Sequence, residues 1–283
     1  MALIVDPVVS TAWLADRMRT PDVRVVDGTW FMPAEGRSGH EEYLQAHIPG
    51  AVFFDIDAIA DTASHLPHML PSPEAFAKAA GRLGLPRDVD VVIYDTHGIR
   101  SAARVWWTLR VMGYSKVYVL DGGLKKWVAE RRPVEGGEIF PRAVEIEPIF
   151  DADLVRNADD VRALLTSGKG RVVDARAASR FTGETPEPRA GLRSGHMPGA
   201  ANVPWEGVIA GDGTLKSQRD LKALFKSAGV NLSKPIVTSC GSGVTASVLA
   251  LALARIGLDR VAVYDGSWTE WGGLPDTPVV TGP

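Results

Sequence analysis

The sequence predicts an α/β protein made of two copies of one domain, each a central, mainly parallel sheet with helices on both faces. Two observations carry this. Short apolar, β-branched strands alternate with helical stretches along the chain, as expected of strands buried on both faces. Three separated stretches also recur in order. Val25-Val26-Asp27 returns as Val172-Val173-Asp174, and His47-Ile48-Pro49-Gly50-Ala51 as His196-Met197-Pro198-Gly199-Ala200. Leu120-Asp121-Gly122-Gly123-Leu124-Lys125-Lys126-Trp127 returns as Tyr264-Asp265-Gly266-Ser267-Trp268-Thr269-Glu270-Trp271. The offsets, about 145–150 residues, are far longer than solenoid periods. A chain of 283 residues holds two domains of ordinary size.

In the first copy, Arg24 to Asp27 reads as a strand, and Val52 to Phe54 as a second after a Pro-Gly turn. Pro73 to Leu83 is a helix capped by Ser72, with proline at its first position. Val89 to Tyr94 is a strand, Ser101 to Met112 a helix stopped by Gly113, Lys116 to Leu120 a strand, and Gly123 to Glu130 a helix. The second copy repeats the plan with strands at Val172-Val173, Ala201 to Val203, Ile236 to Ser239 and Val261 to Tyr264, and a helix over Gln218 to Ala228. Breakers crowd Arg132 to Pro148. The expected domains are therefore 1–136 and 149–283, joined by a linker over 137–148.

Composition narrows the function. A net charge of −3 offers nothing to nucleic acid or an anionic membrane. The longest apolar run, Ser247 to Ala254, is far short of the ~20 residues of a membrane span. The start, Met1 to Pro7, lacks a basic region and is not read as a signal peptide. One cysteine makes no internal disulfide, which suits a reducing, cytoplasmic setting. No His/Cys spacing suggests a metal site, and no cofactor motif is present.

The chemistry gathers at Pro235-Ile236-Val237-Thr238-Ser239-Cys240-Gly241-Ser242-Gly243-Val244-Thr245. This reads as strand, tight loop and helix, with the only thiol at the loop. Glycines at alternate positions let successive N–H groups turn inward, and the helix start adds its positive dipole end. A thiolate placed there is stabilised. The bland alternative is a buried structural cysteine. The equivalent place in the first copy, Asp95-Thr96-His97-Gly98, has no thiol, so one half is catalytic and the other keeps the scaffold. Without a second cysteine, sulfur bound at Cys240 must leave on an external acceptor.

Tyr43-x-x-x-His47-Ile48-Pro49-Gly50-Ala51 and Tyr264-Asp265-Gly266-Ser267-Trp268-Thr269-Glu270-Trp271 resemble the two signatures of the rhodanese (sulfurtransferase) family. The resemblance covers essentially the whole chain, as two rhodanese-like domains, the first silent. Cys240-Gly241-Ser242-Gly243-Val244-Thr245 resembles the 3-mercaptopyruvate sulfurtransferase subgroup; thiosulfate sulfurtransferases of this architecture usually carry basic residues where Gly241 and Ser242 stand. The resemblance implies transfer of sulfur from 3-mercaptopyruvate, through a Cys240 persulfide, to thioredoxin, a small thiol or cyanide. Arg180 and Arg189 match the family's substrate-binding pair, and Gly241, Gly243, Val244 and Thr245 complete that set as loop backbone. Guanidinium forks suit a carboxylate; the bland alternative is a solvated arginine partnered by Glu184 or Glu187.

Ser242, His68 and Asp57 match a serine-protease-like relay in the family. The last two come from the stretch of the silent domain, Asp55 and Asp61 rival Asp57, and His68 could equally be a loop histidine bonded to backbone. His47 and His196, present in both copies, are expected to be structural. One departure concerns Arg100, where the family usually has an aromatic residue. If exposed to the cleft, it would favour more anionic donors. Two other functions compete. Thiosulfate sulfurtransfer uses the same mechanism with another donor, and a non-catalytic rhodanese-like binding module is the reading from a different class. A phosphatase needs Cys-x5-Arg, and Ala246 stands where the arginine would be.

Overall fold

The structure, a computed structural model, describes residues 6–283. The first five residues of the stretch read for a signal peptide lie outside them. The chain divides into two compact units. The first holds the residues up to Thr62, Leu70–Asp151 and Ala210–Leu215; the second holds Ala63–Met69, Ala152–Ile209 and Lys216–Pro283. Each unit thus includes one short loop from the stretch of sequence that builds the other.

The first unit runs β1 (Val8–Val9), α1 (Thr11–Arg17), β2 (Val23–Asp27), α2 (Gly39–Gln45), β3 (Val52–Phe53), α3 (Pro73–Arg82), β4 (Asp90–Tyr94), α4 (Ser101–Val111), β5 (Val117–Leu120) and α5 (Gly123–Ala129). The second runs β6 (Val155–Arg156), α6 (Ala158–Ser167), β7 (Arg171–Asp174), α7 (Ala178–Thr182), β8 (Ala201–Asn202), α8 (Gln218–Ser227), β9 (Ile236–Ser239), α9 (Val244–Arg255), β10 (Ala262–Tyr264) and α10 (Ser267–Trp271). The sheets have the same order, β1-β5-β4-β2-β3 and β6-β10-β9-β7-β8, and every strand pair in them is parallel. The expected α/β class with two parallel sheets is what the chain adopts.

The sequence cues act as expected at the long elements. The Ser72 side chain accepts the Ala75 N–H ahead of Pro73. Helix α9 buries every residue from Val244 to Ala254 except Thr245, so it has no polar face and needs covering on all sides. The two-residue strands β1 and β6 are too short to show a period, and they exist because β5 and β10 supply their partners. Trp127 packs against Leu14, Val25 and Tyr94 in one core, and Trp268 and Trp271 against Val172 and Tyr264 in the other. The stretch after residue 136 runs along the first unit, with Gly137 N–H on the Leu44 carbonyl and Val144 N–H on that of Gly81. A Cβ at Gly81 would lie 2.5 Å from the Val144 oxygen, so only glycine permits that approach.

Asp27, at the end of β2, is 1% exposed and accepts the Thr29 N–H at 2.8 Å. Burial, with Asp95 nearby, pushes its pKa up to about 6 against the hydrogen bonds from Thr29 and Tyr94. The unfolded chain releases this proton near pH 3.8 and the folded chain near 6, so stability is lost as pH rises across that window. Asp27→Asn keeps the acceptor for Thr29 and removes the charge. It should stabilise the protein by about 2–3 kcal/mol above pH 7, and the gain in denaturation midpoint should shrink toward zero near pH 4.

Candidate active site

Strand β9 is the middle strand of its sheet, and Cys240 follows its last residue, at the carboxyl edge where open parallel sheets bind ligands. The thiol is buried, at 2% exposure. Burial alone would suit the bland reading, but the backbone around it is shaped for more. The Trp268 N–H donates to the Cys240 carbonyl at 2.9 Å, and the Thr269 N–H and hydroxyl both donate to that of Gly241, at 2.9 and 2.6 Å. The first turn of α10 thus holds the loop carbonyls on one side. Gly243, at φ +80°, turns the chain into α9. N–H groups of a helix's first turn lack intrahelical partners, and with the carbonyls held back they form a cradle for negative charge. Ser267, buried and at φ +50°, accepts the Cys240 N–H at 3.1 Å and donates to the Tyr264 carbonyl at 2.8 Å.

The first unit shows what such a loop does with an anion. Asp95 follows β4 as Cys240 follows β9. Its carboxylate accepts N–H bonds from Gly98, Arg100 and Ala102, each at 2.8 Å. The first copy therefore fills its cradle with its own carboxyl group. Gly123 takes the place of Ser267, at φ +56°, where a Cβ would lie 2.4 Å from the Asp95 carbonyl oxygen. The scaffold is shared, and Asp95 stands where the second copy has Cys240.

Both candidate arginines reach the loop. A Cβ built on Gly241 would lie 3.3 Å from Arg180 Nη2 and 3.9 Å from Arg189 Nη1. A basic side chain at 241 would meet two guanidiniums, which accounts for the small neutral residue there. Arg180 is also paired with Glu187, Nε to Oε1 at 3.2 Å and Nη2 to Oε2 at 2.5 Å. The partner considered in the bland reading is thus real, but it is not a solvated one: the Glu187 side chain is 2% exposed. Arg176 Nη1 donates to the same Glu187 oxygen, Oε1, at 2.8 Å, and Arg176 also grips both Asp174 oxygens and lies 4.2 Å over the Trp268 ring. Burial opposes the Arg176 charge, and Asp174 with Glu187 outweighs it, so its pKa rises above the usual value.

The relay residues are distributed unevenly. Ser242 is buried beside Cys240, and His68 is buried at φ +62°. The segment carrying His68, Ala63–Met69, packs with the second unit, although its position in sequence had placed it in the silent domain. Asp57 remains in the first unit and accepts the Trp30 indole N–H at 2.8 Å. Its rival Asp55 caps the local turn, accepting the N–H groups of Asp57 and Ala58. His47 and His196 bond the backbone carbonyls of Tyr43 and Phe181 at 2.8 and 2.9 Å, the structural work expected of them.

The Arg100 guanidinium is shared with neighbours in the first unit. Its Nη1 donates to His97 Nε2 at 2.9 Å and meets Glu35 at 3.3 Å.

Sequence reasoning gave no site role to Asp174, Arg176 or Thr269. The repeat held a signal for two of them. Asp27 and Asp174 align, and two residues on Thr29 aligns with Arg176, so the second copy supplies its buried aspartate with a counter-charge.

A thiol in an anion cradle, with two guanidiniums beside its loop, can attack a small acidic donor and stabilise the charge that results. Known proteins agree. The Rhodanese-like domain family matches residues 10–130 and 157–274. A protein of Escherichia coli K12 named 3-mercaptopyruvate sulfurtransferase is 44% identical, over 96% of both chains. The mitochondrial thiosulfate/3-mercaptopyruvate sulfurtransferase 1 of Arabidopsis thaliana is 43% identical over 97% of this chain and 78% of its own. The crystal structure of SseA from Escherichia coli, a 3-mercaptopyruvate sulfotransferase of rhodanese fold, superposes with a TM-score of 0.86 at 42% identity, covering 93% of this chain and 99% of that one. A family match in both halves, on two sheets of identical strand order, leaves one conclusion: the chain belongs to the rhodanese family and carries two of its domains.

Proposed function

We propose that the protein is a 3-mercaptopyruvate sulfurtransferase working through a persulfide on Cys240. The observation that carries this reading is the Cys240 loop, with its carbonyls held back by α10 and Arg180 and Arg189 beside Gly241. The Cys240 thiolate attacks the donor sulfur and the carbon–sulfur bond breaks. Its electron pair leaves on carbon as pyruvate enolate, which takes a proton to give pyruvate. Arg180 and Arg189 hold the donor carboxylate, and the backbone of Gly241, Gly243, Val244 and Thr245 faces the sulfur. Ser242 and His68, grouped with Cys240 in the second unit, supply the proton, and the family resemblance adds Asp57 as the carboxylate of that relay. An external thiolate then attacks the outer sulfur and regenerates Cys240. Thioredoxin or a small thiol suits this step, with cyanide as a laboratory acceptor.

In this reading residues 149–283 form the catalytic domain, 1–136 the silent one and 137–148 the linker. No helix among the described residues is long and apolar enough to cross a membrane, and a reducing cytoplasm is the proposed setting for a single reactive thiol. Thiosulfate is the second donor, favoured by the double name of the plant relative. Steady-state rates with each donor, cyanide as acceptor, test the choice. Mercaptopyruvate should be used with at least about tenfold higher kcat/KM, since one carboxylate suits the arginines and the loop itself offers no cation to a compact dianion. A preference for thiosulfate would overturn the donor assignment.

A further inference from the structure

We propose that Glu187 determines donor specificity: it turns the Arg180 guanidinium toward the donor carboxylate, and its buried charge matches the site to monoanions. The proposal rests on the mercaptopyruvate reading above and deepens it. Glu187 takes the side edge of Arg180, Nε and Nη2. Among the described residues it is the only side chain that Arg180 bonds, which leaves the end edge, Nη1 with the second Nη2 proton, for a ligand. Nη2 is also the guanidinium atom nearest Gly241. A guanidinium with one edge fixed offers the other in a single orientation, so less freedom is lost when a carboxylate pairs with it.

Glu187 is held from behind. Arg176 Nη1 donates to its Oε1, and Arg176 is locked by Asp174, the Gly195 carbonyl at 2.8 Å and the Trp268 ring. The line Asp174, Arg176, Glu187, Arg180 alternates in sign. Its side chains are at most 2% exposed until Arg180, at 25%, where it meets the ligand side. Two carboxylates cancel two guanidiniums, so Arg180 grips a donor by directed hydrogen bonds without adding a full unit of uncompensated charge. Mercaptopyruvate presents one carboxylate. Thiosulfate, a dianion, would gain from the charge that Glu187 cancels.

Three variants assayed with both donors and cyanide test this: Glu187→Gln, Glu187→Asp, and Glu187→Gln in an Arg180→Ala background. Glu187→Gln should raise the mercaptopyruvate KM about tenfold with kcat changed less than about twofold. Its ratio of thiosulfate to mercaptopyruvate kcat/KM should rise about tenfold or more. Glu187→Asp keeps the charge but withdraws the carboxylate, so its KM should rise while the donor ratio stays near wild type. In the Arg180→Ala background Glu187→Gln should no longer raise the mercaptopyruvate KM, since its orienting effect acts through Arg180. Proportionate losses with both donors in Glu187→Gln, or an additive rise in KM in that background, would overturn the proposal. If Glu187→Gln fails to fold, a donor ratio shifted in Glu187→Asp overturns it alone. A wild-type protein inactive with mercaptopyruvate would instead sink the functional reading.

Discussion

Cys240→Ser protein should fold normally and lose sulfur transfer by a factor of about a thousand or more. A serine hydroxyl fits the same cradle, accepts the same backbone geometry and leaves the Ser267 bond to residue 240 in place. What it lacks is the polarisable anion that attacks sulfur. The sharper measurement is the mass of the intact protein after donor treatment without acceptor. Wild type should gain the mass of one sulfur atom on Cys240 and release it when a thiol is added. The serine variant should gain none. Since Cys240 is the chain's only cysteine, no second thiol can confuse the assignment. Activity retained in the serine variant would overturn the persulfide mechanism, and a binding module would take up sulfur in neither form.

Arg176→Met should be the most destabilising single change near the site, at about 3–5 kcal/mol. The guanidinium is fully buried and donates three side-chain bonds to Asp174. Methionine fills part of the volume but leaves the Asp174 carboxylate with the Arg176 backbone N–H alone among those donors, at 2% exposure. An unpaired buried carboxylate costs far more than the pair itself contributes. The urea midpoint should fall accordingly. The mercaptopyruvate KM of the folded fraction should rise as well, because Glu187 loses its anchor. A midpoint within the range of ordinary surface substitutions would show that the line of charges is not buried in solution.

Much of the fold was legible because its determinants are local. Ile236 to Thr238 is β-branched, Ser72-Pro73 announces a helix start, and the recurrence of His-x-Pro-Gly-Ala displays the repeat openly. The thiol loop was legible for the same reason: Gly241 and Gly243 have few other uses beside a lone cysteine. The charge line from Asp174 to Arg180 was not. Its members lie at the end of β7, in the loop that follows it, in the short helix α7 and in a further loop, and nothing in Pro186-Glu187-Pro188 distinguishes a buried carboxylate from a solvated one. Burial there is decided by Arg176 and Trp268, residues whose own positions depend on the sheet. The place of His68 was hidden likewise, since a seven-residue loop carries no sign of which unit it joins.

That exchange of loops bears on how the protein is made. The amino-terminal unit includes Ala210–Leu215, where the Leu215 N–H donates to Asp121 Oδ1 at 2.7 Å. A ribosome has produced about three-quarters of the chain before that hexapeptide exists. The nascent first unit must therefore wait, unfinished, while nearly half of its sister is synthesised. A gene fragment encoding the second half alone would in turn lack the segment bearing His68. Each of the two similar parts is completed by a short segment encoded within the other.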